Sequence, residues 1–303
     1  MNPNQAFEKL CADQNHKDRE SLERIISEDA EYSVEYASSV VQGRFILGEA
    51  TISKSTIYSY QYAKYAIESR FMLGEEAISK DAEHSYWYAR YVIKGRFVLG
   101  EAAISEDALV SCLYAEHVIE GRFELGEAVI SEDAIHSYEY ATNVLGGRFI
   151  LGEAAISQKA RWSQWYAKEV IGGRWELGEA AISKDADASY YYAKEVIGGR
   201  FELGEAAISK KEVYANFYAN DVLRGNWTPE LAVICPCWLY TYAKDVIKGR
   251  LPSTMHNKMI VFGMIDSSDK YVKKYLGAKK YCTLKGIRVT KKKRLKCKIQ
   301  DRC

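Results

Sequence analysis

At 303 residues, 48% of them hydrophobic, the chain can bury a large core, and it holds neither an 18-residue apolar span nor an apolar run after a charged N-terminal segment. No membrane span and no signal peptide are therefore expected. The 42 Lys/Arg and 41 Asp/Glu look balanced, but Lys270 onward holds 14 of the former and only Asp301 of the latter, leaving 28 and 40 before it, so residues 1–269 carry about −12 and the tail about +13 with His neutral.

Residues 1–26 read as a damaged first repeat that caps the regular ones. E-R-I-I-S at 23–27 matches a later Glu-Ala-Ala-Ile-Ser register, while Lys17, Asp18 and Arg19 stand where later units have Gly-Arg-Phe. Regular repeats then begin at Ser27, Ser53, Ser79, Ser105, Ser131, Ser157, Ser183 and Ser209. Phe45, Phe71, Phe97, Phe123, Phe149, Trp175, Phe201 and Trp227 recur at a constant spacing of 26 residues. A fixed period in this range marks a stacked repeat array.

One repeat, residues 79–104, shows the logic. Ser79 is read as an N-cap, with Asp81 near the positive helix end. A long helix of about four turns is expected to stop at Gly95, a left-handed C-cap repeated at Gly43, Gly121, Gly147, Gly173, Gly199 and Gly225. Ser69 breaks that series, at a cost of about 1 kcal/mol if the position is left-handed. A short helix fits residues 99–104. Wheel arithmetic puts Ala82, Ser85, Tyr86, Ala89, Val92 and Ile93 on one face, with Tyr88 at its border. That face and the Leu99/Ala103/Ile104 side should make the core, which only stacking can bury. The recurring tyrosines (Tyr36, Tyr62, Tyr88, Tyr114, Tyr140, Tyr166, Tyr192, Tyr218, Tyr242) read as packing residues with the hydroxyl on a backbone carbonyl. Arg96 with Glu101, Arg122 with Glu127 and Arg148 with Glu153 read as a structural ladder of ion pairs and helix-end contacts between neighbouring repeats, because a catalytic pair has no reason to recur in every unit.

A ninth repeat begins near Cys235 and is two residues short. Its Cys235-x-Cys237 lacks the further ligands that zinc needs, so no metal site is assigned. Residues 251–278 read as a helical C-terminal cap and 279–303 as a basic tail. The seven Cys (Cys11, Cys112, Cys235, Cys237, Cys282, Cys297 and Cys303) are odd in number and show no framework spacing. That pattern fits a reducing, intracellular setting.

Function must lie in what the repeat lets vary. The fifth, eighth and twelfth residues after each opening Ser are expected to point away from the core. There stand Tyr32; Tyr58 and Tyr65; His84, Trp87 and Tyr91; His117; His136; Trp162 and Trp165; Tyr191; and Tyr214 and Phe217. Aromatics in line on a surface are enriched at binding hot spots. The expected partner is a protein, bound without chemistry; packing of the same row on the short helix of an adjacent unit, or a wheel phase shifted by a residue or two, is the competing account. No P-loop, dinucleotide fingerprint, metal cluster or Ser/Cys–His arrangement appears, so no catalytic residue and no cofactor is assigned. The alternative is nucleic-acid binding through the tail, with Lys291, Lys292, Lys293, Arg294 and Lys296 on phosphates. Attraction between the acidic array and the basic tail is a further expectation, within one chain or between copies, and the latter would make oligomers.

The repeats resemble the tandem S-Y-x-Y-A-K-x-V-I-x-G-R-F-x-L-G-E-x-A-I-S repeats of uncharacterised proteins from tailed bacteriophages and some other viruses. The resemblance spans roughly residues 27–250. It implies a viral origin and a setting in the infected-cell cytoplasm or the virion, and it carries no activity to transfer. The expected architecture is an all-α solenoid of about nine 26-residue helix-turn-helix repeats, each a long and a short helix, with degenerate capping units.

Overall fold

The computed structural model describes residues 1–224. The ninth repeat, the C-terminal cap and the basic tail expected from the sequence lie outside the described residues. Within them every regular element is helical, and the helices recur with the 26-residue period of the sequence. The fold is a helical-repeat solenoid. It divides into two compact units, one of Met1–Trp162 with Glu169–Ile171, the other of Ser163–Lys168 with the chain from Gly172 on.

The N-terminal cap is a helix pair, Pro3–Ala12 and Arg19–Ile26. Asn2 and Gln5 close a capping box at its start. Ala6, Leu10, Leu22 and Ile26 are its buried residues, and the first helix also packs on the following long helix.

Each long helix then opens two residues later than its repeat's serine. Asp81, not Ser79, is the N-cap of the long helix, accepting from the His84 N–H at 2.9 Å. Asp29, Asp107, Asp133 and Asp185 do the same, and Ser55 substitutes for them in its repeat. Ser79 instead ends the preceding short helix. A carboxylate is the stronger choice here because it meets both an orphan N–H and the positive helix end.

The long helix is α-helical over Ala82–Tyr88 and widens to an i→i+5 π-helical turn over Ala89–Ile93. The wider turn rotates later residues less per step than the α-helical wheel assumes. Val92 and Ile93 are accordingly only half-buried, whereas Tyr88, placed at the border of the core face, is wholly inside. The stop also shifts. Lys94, at φ 57°, holds the left-handed position, and the Gly95 N–H returns to the Ala89 carbonyl at 3.1 Å. Gln42, Glu68 and Glu120 are left-handed in the same place, as are Gly146, Gly172 and Gly198. Ser69 therefore bears no left-handed strain; Glu68 does.

The short helix starts as a 3-10 turn, Val98–Gly100, and continues as Glu101–Ile104. Its inward face is Phe97, Gly100, Glu101 and Ile104, all buried. Leu99 lies outside, which corrects its place in the expected core. The two helices of a repeat meet closely: a Cβ on Gly100 would come within 2.6 Å of Ser85 and of the Phe97 ring. Ser85 itself donates to the Ile78 carbonyl at 2.9 Å.

Repeats are joined through tyrosine. The Tyr88 ring packs edge-on against Phe97 in its own repeat, at 5.1 Å between centroids. Its hydroxyl reaches into the preceding repeat, donating to Glu75 Oε1 at 3.0 Å and accepting from the Phe71 N–H at 2.8 Å. Glu75 is held in turn by Arg70, Nε at 2.5 Å and Nη2 at 3.0 Å. The tyrosine hydroxyl thus meets a carboxylate and an amide, not the carbonyl expected from the sequence. The same assembly recurs with Tyr62, Glu49 and Arg44, with Tyr114, Glu101 and Arg96, and with Tyr140, Glu127 and Arg122. In the second unit Tyr192, Glu179 and Arg174, and Tyr218, Glu205 and Arg200, repeat it. Even the cap keeps it: Arg19 and Tyr36 both bond Glu23 at 2.7 Å.

Two substitutions separate close packing from turn chemistry. Gly100→Ala should cost about 1–3 kcal/mol in urea unfolding, because Ser85 and Phe97 cannot move without repacking. Gly95→Ala should stay within about 0.5 kcal/mol, since nothing lies within 4 Å of its added carbon and its φ is not left-handed. Equal losses would reject this account of the glycines.

Acid should also unfold the array from this network. Burial alone would raise the Glu101 carboxyl, but hydrogen bonds from Arg96 and Tyr114 and the guanidinium charge outweigh it and hold it below the ordinary value. Asp81 is likewise lowered: its partial burial is outweighed by the His84 N–H and side chain. A depressed carboxyl stabilises above its unfolded pKa of about 4–4.5 and ceases to do so as pH falls through the folded value. Tm should therefore drop below about pH 4.5. Glu101→Gln should lower Tm at neutral pH and flatten the acid limb; an unchanged limb would remove Glu101 from the cause.

Candidate functional site

The aromatic stripe runs along the long helices. Asp81 fixes where the helix begins, and hence where the fifth and eighth positions point. Behind them lie buried Tyr60, Tyr86, Cys112 and Tyr138 in the first unit, and Gln164 and Tyr190 in the second. Within each unit, stripe residues of one repeat pack onto the buried residue of the repeat before. Tyr60 meets His84 at 5.9 Å and Trp87 at 6.0 Å, and His84 meets Trp87 at 5.2 Å. Tyr138 meets Trp162 at 5.3 Å. In the second unit Tyr190 meets Tyr214 and Phe217 of the next repeat at 6.0 and 5.7 Å, and its own chain neighbour Tyr191 at 5.0 Å.

The residues named from sequence accordingly fall into two sets. Tyr58, His84, Trp87, Trp162, Trp165 and Tyr214 are half-buried, and of these His84, Trp87, Trp162 and Tyr214 pack on the repeat before. Tyr65 and Tyr91, 58% and 47% exposed, and Tyr191 and Phe217 present their rings to solvent. Tyr32 and His136 are half-buried as well. Lys291, Lys292, Lys293, Arg294 and Lys296 lie outside the described residues.

Two patches result. In the first unit, the Lys64 ammonium lies over three rings, Tyr91 at 4.5 Å, Tyr65 at 5.1 Å and Tyr60 at 5.4 Å. Its pKa is raised, chiefly by hydrogen bonding to Tyr60. Arg90 stands over Tyr86 and Tyr91 at 5.8 and 5.5 Å and bonds the Tyr86 hydroxyl. Cation and ring hold each other in place, so these tyrosines form a fixed platform with a basic edge. In the second unit, Lys194 bonds the Tyr190 hydroxyl at 2.9 Å and Asp221 at 2.8 Å, and Tyr190 donates to Asp221 at 2.5 Å. Asp221 is lowered by these bonds, Lys194 first.

Lys64, Arg90 and Lys194 escaped the sequence reading. Their signal was there, a basic residue following the Tyr-x-Tyr-Ala motif, but the wheel treats that position as ordinary solvated surface. The platform can bind by shape, apolar contact and charge. Among the described residues no three His, Cys, Asp or Glu side chains gather as a metal site would require, and no helix is long and apolar enough to cross a membrane. No protein family, curated protein or solved structure matches the chain.

The two sets of aromatics should separate on mutation. Trp87→Ala should lower stability by about 1–2 kcal/mol through lost contact with Tyr60 and His84. Tyr91→Ala should cost less than about 0.5 kcal/mol, as an exposed ring does. Thermal melts of both variants check this, and a larger loss for Tyr91 would reject the division.

Proposed function

We propose that the array is a non-catalytic scaffold that captures a protein partner on the platform of Tyr65, Tyr91, Lys64 and Arg90, with Tyr191 and Phe217 of the second unit offering further rings. The partner is a host factor or a virion component, met in the infected-cell cytoplasm or in the virion. One observation carries the reading: large rings stand exposed on a rigid frame and are pinned by cations instead of being folded inward. Exposed, preorganised aromatics and Arg are the side chains that concentrate binding energy at protein interfaces. The acidic balance of residues 1–269 as a whole disfavours a nucleic-acid backbone along the array, and the basic edge that Lys64 and Arg90 give the platform suits a partner with acidic side chains. The basic segment from Lys270 on keeps nucleic acid as the second reading, and that reading predicts steep salt dependence.

Affinity capture with the full chain from its native cell tests both. A stoichiometric protein should be retained at moderate salt and lost with Tyr65→Ser/Tyr91→Ser, at unchanged Tm. Nucleic acid eluting with salt, with no protein enriched, would overturn the platform reading, as would full retention by the double variant.

A further inference from the structure

Each short helix carries a leucine that the fold does not use. In the first unit these are Leu47, Leu73, Leu99, Leu125 and Leu151, 52% to 61% exposed. Ile46, Met72, Val98 and Ile150, each just before its leucine, are 71% to 77% exposed. Three residues after the leucines stand Ala50, Ala102, Ala128 and Ala154, all exposed, with Glu76 the exception. Successive short helices pack on one another within the unit, so these side chains line up. The leucines form a ridge and the alanines a furrow beside it.

Folding accounts for neither. Phe97, Gly100, Glu101 and Ile104 fill the inside of the short helix, and a polar residue at 99 would serve it equally well. Yet the position is leucine in every described repeat, while the residue before it changes among Ile, Met, Val and Glu. A solvent-facing apolar residue kept through so much internal variation indicates a surface that something covers.

We infer that this ridge and furrow are the interface with a second copy of the chain. The nine apolar ridge side chains of the first unit expose on the order of 1,000 Å², against about 800 Å² that a stable complex buries on each partner. A ridge of leucines beside a furrow of alanines is complementary to itself, so a two-fold pairing seats each ridge in the other furrow. Only a partner with the same repeat pitch stays in register along the whole row, and a second copy has that pitch by construction. Charge on this face is sparse: Glu76 interrupts the furrow and Glu124 the ridge, and both are exposed at points where the apolar row breaks. The exposed Arg44, Arg70, Arg96, Arg122 and Arg148 beside the ridge are each held by a buried glutamate of their own repeat. This face belongs to the short helices, and it is distinct from the aromatic platform on the long ones.

Sedimentation velocity of the full chain over a micromolar concentration series tests it, at low and high salt. The wild type should sediment as a dimer and remain so at high salt, because the contact is apolar. Leu73→Lys/Leu99→Lys/Leu125→Lys should associate at least ~100-fold more weakly, with wild-type circular dichroism and Tm, since the replaced side chains face solvent. Tyr65→Ser/Tyr91→Ser should leave the dimer intact. A wild type that is monomeric throughout would overturn the inference. So would a dimer that survives the triple variant, or one that salt dissolves, which would assign assembly to attraction between tail and array. Loss of the dimer in the tyrosine variant would move the interface to the platform and overturn it equally.

Discussion

A buried carboxylate at every joint governs this structure. Glu75, Glu101, Glu127 and their equivalents lie out of water, where an unpaired charge would cost several kcal/mol. Each is satisfied from two sides: a two-pronged arginine from its own repeat, and a tyrosine hydroxyl from the next. The arginine keeps its other edge in solvent, so only one member of the ion pair is fully desolvated. The tyrosine hydroxyl also takes up the backbone N–H at the start of the short helix. Burial pushes that hydroxyl above its ordinary pKa, so it remains a donor across the physiological range. One side chain thereby settles three polar groups and fixes the spacing of adjacent repeats.

The rest of the repeat depends on that joint. The Tyr88 hydroxyl is 13 residues beyond Glu75, so the long helix must begin at a fixed place, which the Asp81 cap sets. Its ring needs the Phe97 edge, which brings the short helix back across the long one. Gly100 and Ser85 make that return possible, because any larger pair would hold the helices apart. Stability in such an array accumulates through nearest-neighbour contacts. Terminal repeats therefore need a partner for the joint, and the N-terminal cap supplies one by placing Glu23 and Arg19 against Tyr36.

With the joint fixed, two surfaces remain at liberty to vary or to be used. Along the long helices, aromatic residues partly seal the step between repeats and partly face solvent beside Lys64 and Arg90. Along the short helices, the leucine is constant where the fold asks for nothing. The first surface differs from repeat to repeat and suits a particular partner. The second is the same from repeat to repeat and suits a partner with the same period. The capture and the self-pairing proposed above would each use one of them.

The 26-residue period, the helical class, the two-helix repeat and the pairing of arginine with glutamate are legible in the sequence, because repetition turns a weak local signal into a strong one; that the pair closes within one repeat and tyrosine makes the link to the next is not, since both lie in the three-dimensional path of the chain. So was burial of Ser85, Tyr86, Ala89 and Ile104, since the α-helical period holds as far as Tyr88. Beyond it the wheel failed for Val92 and Ile93, because a π-helical turn changes the angle per residue and no residue type announces one. The sequence suggests Ser79 as the cap and Gly95 as the left-handed residue, whereas Asp81, two residues on, and Lys94, one residue back, hold those places, because both assignments depend on backbone dihedrals. Leu99 was placed inside because hydrophobicity alone cannot say which side of a four-residue helix is covered. The sequence leaves the stripe open between solvent and a neighbouring unit, and only tertiary structure divides it, since Tyr60 of one repeat shields His84 and Trp87 of the next. Sequence determines what each repeat is made of; contacts between repeats, absent from any single period, decide which of its side chains remain available.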